Sequence, residues 1–154
     1  MIAAFLILLL GQEAAARGDL HKLAFYAPRM EVVVRLGAEN WLSEDALREL
    51  RRWPATPTLE LRPPVSPQEA KQLRKLKRFR VLLAFGSRKD RSLRRLAPAV
   101  ASVRAEPHTP LPVKERPCPG TALMGRRGAD EVLSAPDGVD QCVLGWLSDR
   151  FHTR

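Results

Sequence analysis

The sequence predicts an α/β protein built from repeated βα units, which form a small, mostly parallel sheet with helices on one face. Two observations carry this prediction. Short apolar stretches alternate with segments of helical periodicity, and each helical segment is preceded by a serine, at Ser43, Ser66 and Ser87. Strands that alternate with helices are typical of βαβ units and parallel strands. An irregular C-terminal segment that ends in a helix completes the predicted fold.

Four stretches with alternating apolar residues are predicted to be strands. They are Glu31–Leu36, Thr58–Arg62, Arg80–Phe85 and Ala101–Glu106. In each strand every second residue is apolar, which gives one continuous apolar face for the helices. The opposite face is polar except on the third strand, so the sheet is expected to be one-sided, like a half-barrel or a short solenoid. A doubly wound sheet is the alternative, and it requires two apolar faces.

The helix starts are predicted from capping chemistry. Ser66 is followed by a proline at the first helical position and by Glu69 at the third, which together form a capping box. Ser43 precedes two acids that suit the positive end of a helix dipole. Ser87 heads a looser version with Asp90 at the third position. Helical spacing then predicts buried residues along three helices: Leu47, Leu50 and Trp53; Ala70, Leu73, Leu76 and Phe79; Leu93 and Leu96.

The N-terminus predicts export. Residues 2–10 are uninterrupted apolar, about the length of a secretory h-region and too short to span a bilayer. Small residues follow at Ala14–Ala16, so residues 1–16 are interpreted as a signal peptide with cleavage after Ala16. The segment lacks a basic n-region, and a buried N-terminal helix or strand is the alternative. The Arg-rich composition is typical of a GC-rich bacterial genome, and the expected location is the periplasm or outside the cell.

The remaining chain is divided at its proline-rich part. Residues 17–106 are predicted to form the βα-repeat domain, and residues 107–154 a C-terminal segment that packs on it. Residues 107–120 contain five prolines and no period, so we expect them to be irregular. A helix is predicted from about Val139 to Phe151. Cys118 and Cys142 are the only cysteines, and export favours a disulfide between them over two separate buried thiols.

A polar cluster is expected where the strands end, on the face away from the helices. Its members are Arg35, Glu60, Arg62, Arg104 and Glu106. Ligands bind at the carboxyl ends of strands in parallel βα folds, and arginines there suit a carboxylate or phosphate. The alternative is a ladder of Arg–Glu pairs that satisfy one another, which the near balance of charge favours.

A basic surface is the second candidate site. The chain has 26 Lys and Arg against 17 Asp and Glu, a net charge of +9. Basic residues crowd the second and third predicted helices, and Arg74, Lys75 and Arg78 are expected to point away from the apolar stripe. Such a surface attracts anionic polymers or lipid headgroups. The alternative is a solvated helix face without a function.

We therefore expect an exported, basic, non-enzymatic protein that binds an anionic envelope polymer, a lipid headgroup or a partner protein. An enzyme or enzyme remnant that acts on a carbohydrate or small substrate is one alternative, and a cytosolic nucleic-acid-binding protein is another. The sequence offers no nucleophile motif, phosphate loop or metal-ligand spacing, so we expect no cofactor and no metal. Nucleic acid is not the expected partner, because aromatic residues do not alternate with the basic ones.

Overall fold

The computed structural model shows strands and helices alternating along the chain. It describes residues 20–36, 39–83, 85–105, 109–110, 123–126, 129–134 and 141–152. The helices are residues 20–26 (α1), Glu44–Arg51 (α2), Pro67–Leu73 (α3) and Gln141–His152 (α4), with 3₁₀ helices at Arg74–Leu76 and Arg91–Leu96. The strands are Glu31–Arg35 (β1), Thr58–Leu61 (β2), Phe79–Leu83 (β3), Val100–Arg104 (β4), Thr109–Pro110 (β5), Leu123–Arg126 (β6) and Ala129–Ser134 (β7).

These strands form one sheet in the order β4-β3-β2-β1-β7-β6-β5. The first four strands are sequential neighbours and parallel, and β7 adds to the free side of β1 in the same direction. Strands β6 and β5 continue the sheet in antiparallel orientation. The predicted α/β class with a mostly parallel sheet is confirmed.

The core lies between the helices and one face of the sheet. Alternate strand residues such as Val34, Leu59 and Val81 are buried there together with Leu47 and Leu73 from the helices. Each fully buried Leu or Val contributes about 1.5–3 kcal/mol relative to an exposed one. This arrangement is the one that the period-two alternation of β1–β3 predicts, because it places one continuous apolar face toward the helices.

The first two helix starts agree with the predicted caps. The Ser43 side chain accepts a hydrogen bond from the Ala46 amide at 3.1 Å. Ser66 and Glu69 form the full capping box: the Ser66 Oγ accepts from the Glu69 amide at 3.2 Å, and the Glu69 carboxylate accepts from the Ser66 amide at 2.7 Å. These contacts fix where α2 and α3 begin, at the edge of the sheet where β1 and β2 end.

The third helical segment begins later than predicted, so the prediction of a cap at Ser87 is wrong. Ser87 caps only a short turn, accepting from the Lys89 amide at 3.1 Å, and the helix that follows is a 3₁₀ helix that begins at Arg91. Asp90 is its N-cap and accepts from the amide of Ser92 at 2.8 Å. The hydrogen bonds from Ser92 hold the pKa of Asp90 below its ordinary value. The cap therefore lies three residues later than predicted, at an aspartate, which is about as good an N-cap residue as serine.

Strand β3 also differs from the prediction. It runs from Phe79 to Leu83, so Phe79 is a buried strand residue and not the end of the preceding helix. That helix changes to a 3₁₀ turn at Arg74 and stops at Lys77, which has a positive φ of 68°. Phe85 lies beyond the strand and is 72% exposed, whereas the alternation predicts it in the core.

Part of the second face of the sheet is buried. Val33 and Leu82 are buried on it, and so is Glu60, with 7% of its surface exposed. Ion pairs accompany this burial, as described below. Leu82 belongs to the third strand, which the sequence prediction excepts from the polar face, and Glu60 is a polar residue that is buried on it.

The C-terminal part contributes more sheet than predicted. Residues 109–110 of the segment expected to be irregular pair with β6, and β7 pairs with β1 from Glu31↔Glu131 to Val34↔Ser134. Helix α4 buries Val143 and Leu147 in the same core as the βα units, and the Phe151 ring lies 5.8 Å from that of Tyr26 in α1. The helix begins at Gln141, and Val139 lies outside the described residues.

Candidate functional site

Some members of the predicted strand-end cluster contact one another in the structure. Register places Arg35 of β1 beside Glu60 of β2, and the Arg35 Nε donates to the Glu60 Oε1 at 3.2 Å. The Glu60 side chain is 7% exposed and that of Arg35 is 36% exposed. A carboxylate buried to this degree needs a cation or several donors, because its desolvation is otherwise costly. Arg35 meets that need.

Arg104 reaches an acid that the sequence reasoning missed. Its guanidinium donates to Glu31 Oε1, and the Thr58 hydroxyl donates to the same oxygen at 3.0 Å. Strands β4 and β1 have two strands between them, which in a flat sheet is a lateral separation of about 14 Å. Two long side chains cover part of this distance, and a sheet that curls toward this face, as the predicted half-barrel does, would shorten the rest. The signal for Glu31 was present, because it shares the period-two face of Arg35.

Among the described residues, Arg62 does not join these pairs. The Arg62 side chain is exposed, and Glu106 lies outside the described residues. The structure therefore brings together Arg35 with Glu60 and Arg104 with Glu31, and leaves Arg62 at the rim. Both inner arginines already donate to carboxylates. Their arrangement favours the alternative of a ladder of ion pairs over an anion site.

A buried asparagine organises the edge where β1 and β2 end. Asn40 is 5% exposed, and its side chain both donates to the Arg62 carbonyl at 2.8 Å and accepts from the Arg62 amide at 2.9 Å. The backbone amide of Asn40 donates to Glu69 Oε1 at 3.2 Å. Burial raises the pKa of Glu69, but hydrogen bonds from Ser66 and Asn40 outweigh that effect and lower it. The connection after β1, the end of β2 and the start of α3 are thus bound together.

The basic surface is defined here as the exposed lysines and arginines of residues 71–95. Of the 26 Lys and Arg in the chain, 11 lie in this segment, where Asp90 is the one acid; the rest of the chain has 15 Lys and Arg against 16 acids. The segment thus accounts for the net charge of the protein. Lys71, Arg74, Lys75 and Arg78 are all exposed, as predicted, and so are Arg91, Arg94 and Arg95.

Two members of the basic surface are engaged within the protein. The Lys75 ammonium pairs with Glu44 of α2, and this hydrogen bond lowers the pKa of Glu44. Arg95 donates to the Val65 carbonyl at 2.8 Å. Arg74 and Arg78 have no such side-chain contact with the described residues. They are therefore better placed than Lys75 to meet a ligand.

The described residues hold neither a metal-ligand cluster nor a membrane-spanning helix. They contain no group of three His, Cys, Asp or Glu placed to hold a metal ion. No helix among them is both long and apolar enough to cross a bilayer. His21 is bound to the buried Glu49 at 3.1 Å. Cys118 and residues 1–16 lie outside the described residues, so the disulfide to Cys142 and the signal peptide stay predictions.

Comparisons with family models, with curated proteins and with solved structures each gave no match. The architecture carries no activity with it, because one fold hosts many functions. The charges and contacts of this chain are therefore what indicate its function.

Proposed function

We propose that the protein is a non-enzymatic binding protein for an anionic polymer, and that the basic surface is its binding site. The observation that carries the proposal is the concentration of charge: residues 71–95 hold 11 basic residues and one acid, and the remainder is close to neutral. Exposed charges attract a polyanion by releasing its counterions, with no need for a shaped pocket.

The fold supports this proposal by placing the cations side by side. Helix α3 and the second 3₁₀ helix follow successive strands, and Val65 before α3 is bound to both Ser92 and Arg95 of the second helix. The Val65 amide donates to the Ser92 Oγ at 2.9 Å. Cations of the two helices therefore share one part of the surface.

Replacing Lys71, Arg74 and Arg78 together by glutamine should weaken binding to heparin about tenfold or more at 0.1 M salt. The slope of log affinity against log salt should fall by about 2 to 3, because three ion contacts are lost. The free energy of unfolding should change little, since these exposed charges contribute little to stability. Titration of heparin at several salt concentrations measures both quantities.

A matched variant distinguishes binding at the basic surface from an effect of the total charge of the protein. Lys22, Arg29 and Arg48 are exposed cations of α1, the following turn and α2. Their triple replacement by glutamine removes the same charge and should leave most of the affinity. Equal weakening by the two triple variants would contradict a localised site. Absence of heparin binding by the natural protein at low salt would contradict the proposed function.

We also propose that the protein is exported with cleavage after Ala16 and that Cys118 and Cys142 then form a disulfide. The buried position of Leu20, whose carbonyl accepts from Trp53 Nε1 at 3.1 Å, supports a mature chain that keeps α1. Mass spectrometry of the natively expressed protein should show an N-terminus at Arg17 and no free thiol. Full-length chain recovered from the cytosol with both thiols reactive would refute both points.

A further inference from the structure

Two large aromatic side chains are exposed at the edge of the sheet where the parallel strands end. Trp41 lies between β1 and α2 and is 51% exposed, and Phe85 follows β3 and is 72% exposed. The connections that follow parallel strands all leave from the same edge, which is where such folds bind their ligands. Burial of these two rings against an apolar partner would be favourable.

The connection that carries Trp41 and the connection that carries Phe85 both contact the end of β2. Asn40, next to Trp41, is bonded to both backbone groups of Arg62. Gly86, next to Phe85, packs against Pro63: a Cβ at Gly86 would lie 3.3 Å from the Pro63 Cγ, and its φ of +93° suits glycine. Trp41, Arg62 and Phe85 therefore belong to three connections that contact one another in sequence.

The charges of this edge are mostly positive. Arg62, Arg88 and Lys89 are exposed. Asp90 is engaged by Ser92, and Asp45 is engaged by Arg48 at 3.2 Å. Glu39 and Glu44 are exposed acids near Trp41 among the described residues, and Glu44 is paired with Lys75. Exposed aromatic side chains at an edge that also carries exposed cations fit a partner that is apolar inside and anionic at its surface.

We propose that this edge binds the surface of an anionic lipid bilayer, with Phe85 and Trp41 entering the headgroup region and Arg62, Arg88 and Lys89 contacting the phosphates. The proposal goes beyond the polymer binding proposed above: it shares Arg88 and Lys89 with the basic surface and adds an anionic lipid surface as a second ligand. Lysines and arginines near an anionic leaflet add to the burial of apolar side chains. Tryptophan suits the boundary between headgroups and acyl chains, because its ring is apolar and its N–H is polar.

The geometry favours a bilayer over a single-stranded nucleic acid. The connections after β1 and β3 are two strand spacings apart, about 10 Å. Successive stacked bases are about 3.4 Å apart, so neighbouring bases do not fit both rings. A membrane plane meets all the connections at one edge of a sheet at once.

Co-sedimentation with vesicles of phosphatidylglycerol and phosphatidylcholine tests the proposal, with pure phosphatidylcholine vesicles as the neutral comparison. The full chain should bind the anionic vesicles and not the neutral ones. Phe85→Ser should weaken vesicle binding about tenfold. Arg88→Gln with Lys89→Gln should weaken it about 25-fold, and Glu39→Gln should strengthen it about fivefold.

Phe25→Ser is the matched control, because Phe25 is 44% exposed and lies at the end of α1, just before the chain enters β1 at the opposite edge of the sheet. It should leave vesicle binding unchanged, and Phe85→Ser should bind heparin as the natural protein does. Vesicle binding that Phe85→Ser leaves unchanged would overturn the lipid inference and leave the proposed polyanion binding intact. Equal loss of heparin and vesicle binding in Phe85→Ser would also overturn it. A protein that binds neither heparin nor vesicles would refute the proposed function itself.

Discussion

Replacing Arg35 by methionine should lower the free energy of unfolding by about 2 kcal/mol. The change leaves the carboxylate of Glu60, which is 7% exposed, without the cation that donates to it at 3.2 Å. Among the described contacts Arg35 is its one ion-pair partner. Removing one member of a fully buried pair costs about 3–5 kcal/mol. We expect less here because 36% of the Arg35 side chain is exposed, so water already screens the pair.

A double-mutant cycle identifies the cause of that loss. Glu60→Leu removes the carboxylate, and Arg35→Met with Glu60→Leu should recover most of the lost stability, because two apolar side chains replace the ion pair. Urea denaturation of the three variants gives the coupling free energy. Arg62→Met is the control, since Arg62 is exposed at the same strand ends, and it should change stability by less than about 0.5 kcal/mol.

The result also separates the two interpretations of the strand-end cluster. A ladder of ion pairs predicts coupling between Arg35 and Glu60 together with a small effect on anion binding. An anion site would show the reverse: weak coupling and a large loss of binding in Arg35→Met. Additive effects of the two single changes would contradict the ladder.

Local chemistry accounts for the parts of the fold that the sequence predicted well. The caps at Ser43 and Ser66 depend on residues within one turn, and strands β1–β4 each follow a short alternating pattern. The order of these strands also follows from local connections, because successive strands joined by a helix tend to be neighbours. Exposure of Arg74 and Arg78 required only their position relative to an apolar stripe.

Contacts between distant residues account for the parts that were missed. Strand β7 pairs with β1 about a hundred residues away, and nothing in its own residues names that partner. Glu31 was missed because it meets Arg104 across two intervening strands. Phe85 has the correct alternation for a buried strand residue, yet β3 ends at Leu83. Periodicity gives the face of a residue in a strand and does not give the residue at which the strand stops.

Asn40→Ala should lower the free energy of unfolding at neutral pH by about 3 kcal/mol. Asn40 is 5% exposed, and the change removes the side-chain partners of both the amide and the carbonyl of Arg62. Each backbone group left without a partner costs about 1–3 kcal/mol. Ser66→Ala, which removes the cap of α3 alone, should cost about 1 kcal/mol and serves as the comparison.

The cost of Asn40→Ala should depend on pH through Glu69. Hydrogen bonds from Ser66 and Asn40 lower the pKa of Glu69 in the folded protein despite its burial. A lowered pKa contributes stability above the unfolded pKa of about 4.3, and that contribution is lost as the pH falls through the folded value. The alanine variant removes the side-chain donor, so part of this contribution is already missing. Its deficit relative to the natural protein should therefore be smaller at pH 3.5 than at pH 7.

Asn40→Asp adds a negative charge near Glu69, while the aspartate side chain keeps almost the same shape as asparagine. It keeps an acceptor for the Arg62 amide, but it loses the donor to the Arg62 carbonyl and places a second carboxylate near that of Glu69. Like charges at short range disfavour ionisation, so this variant should regain stability relative to the natural protein as the pH falls below about 4. Urea denaturation of the three proteins at pH 7 and 3.5 measures these differences. Deficits that are the same at both pH values would show that Asn40 acts without Glu69, through the backbone of Arg62 alone.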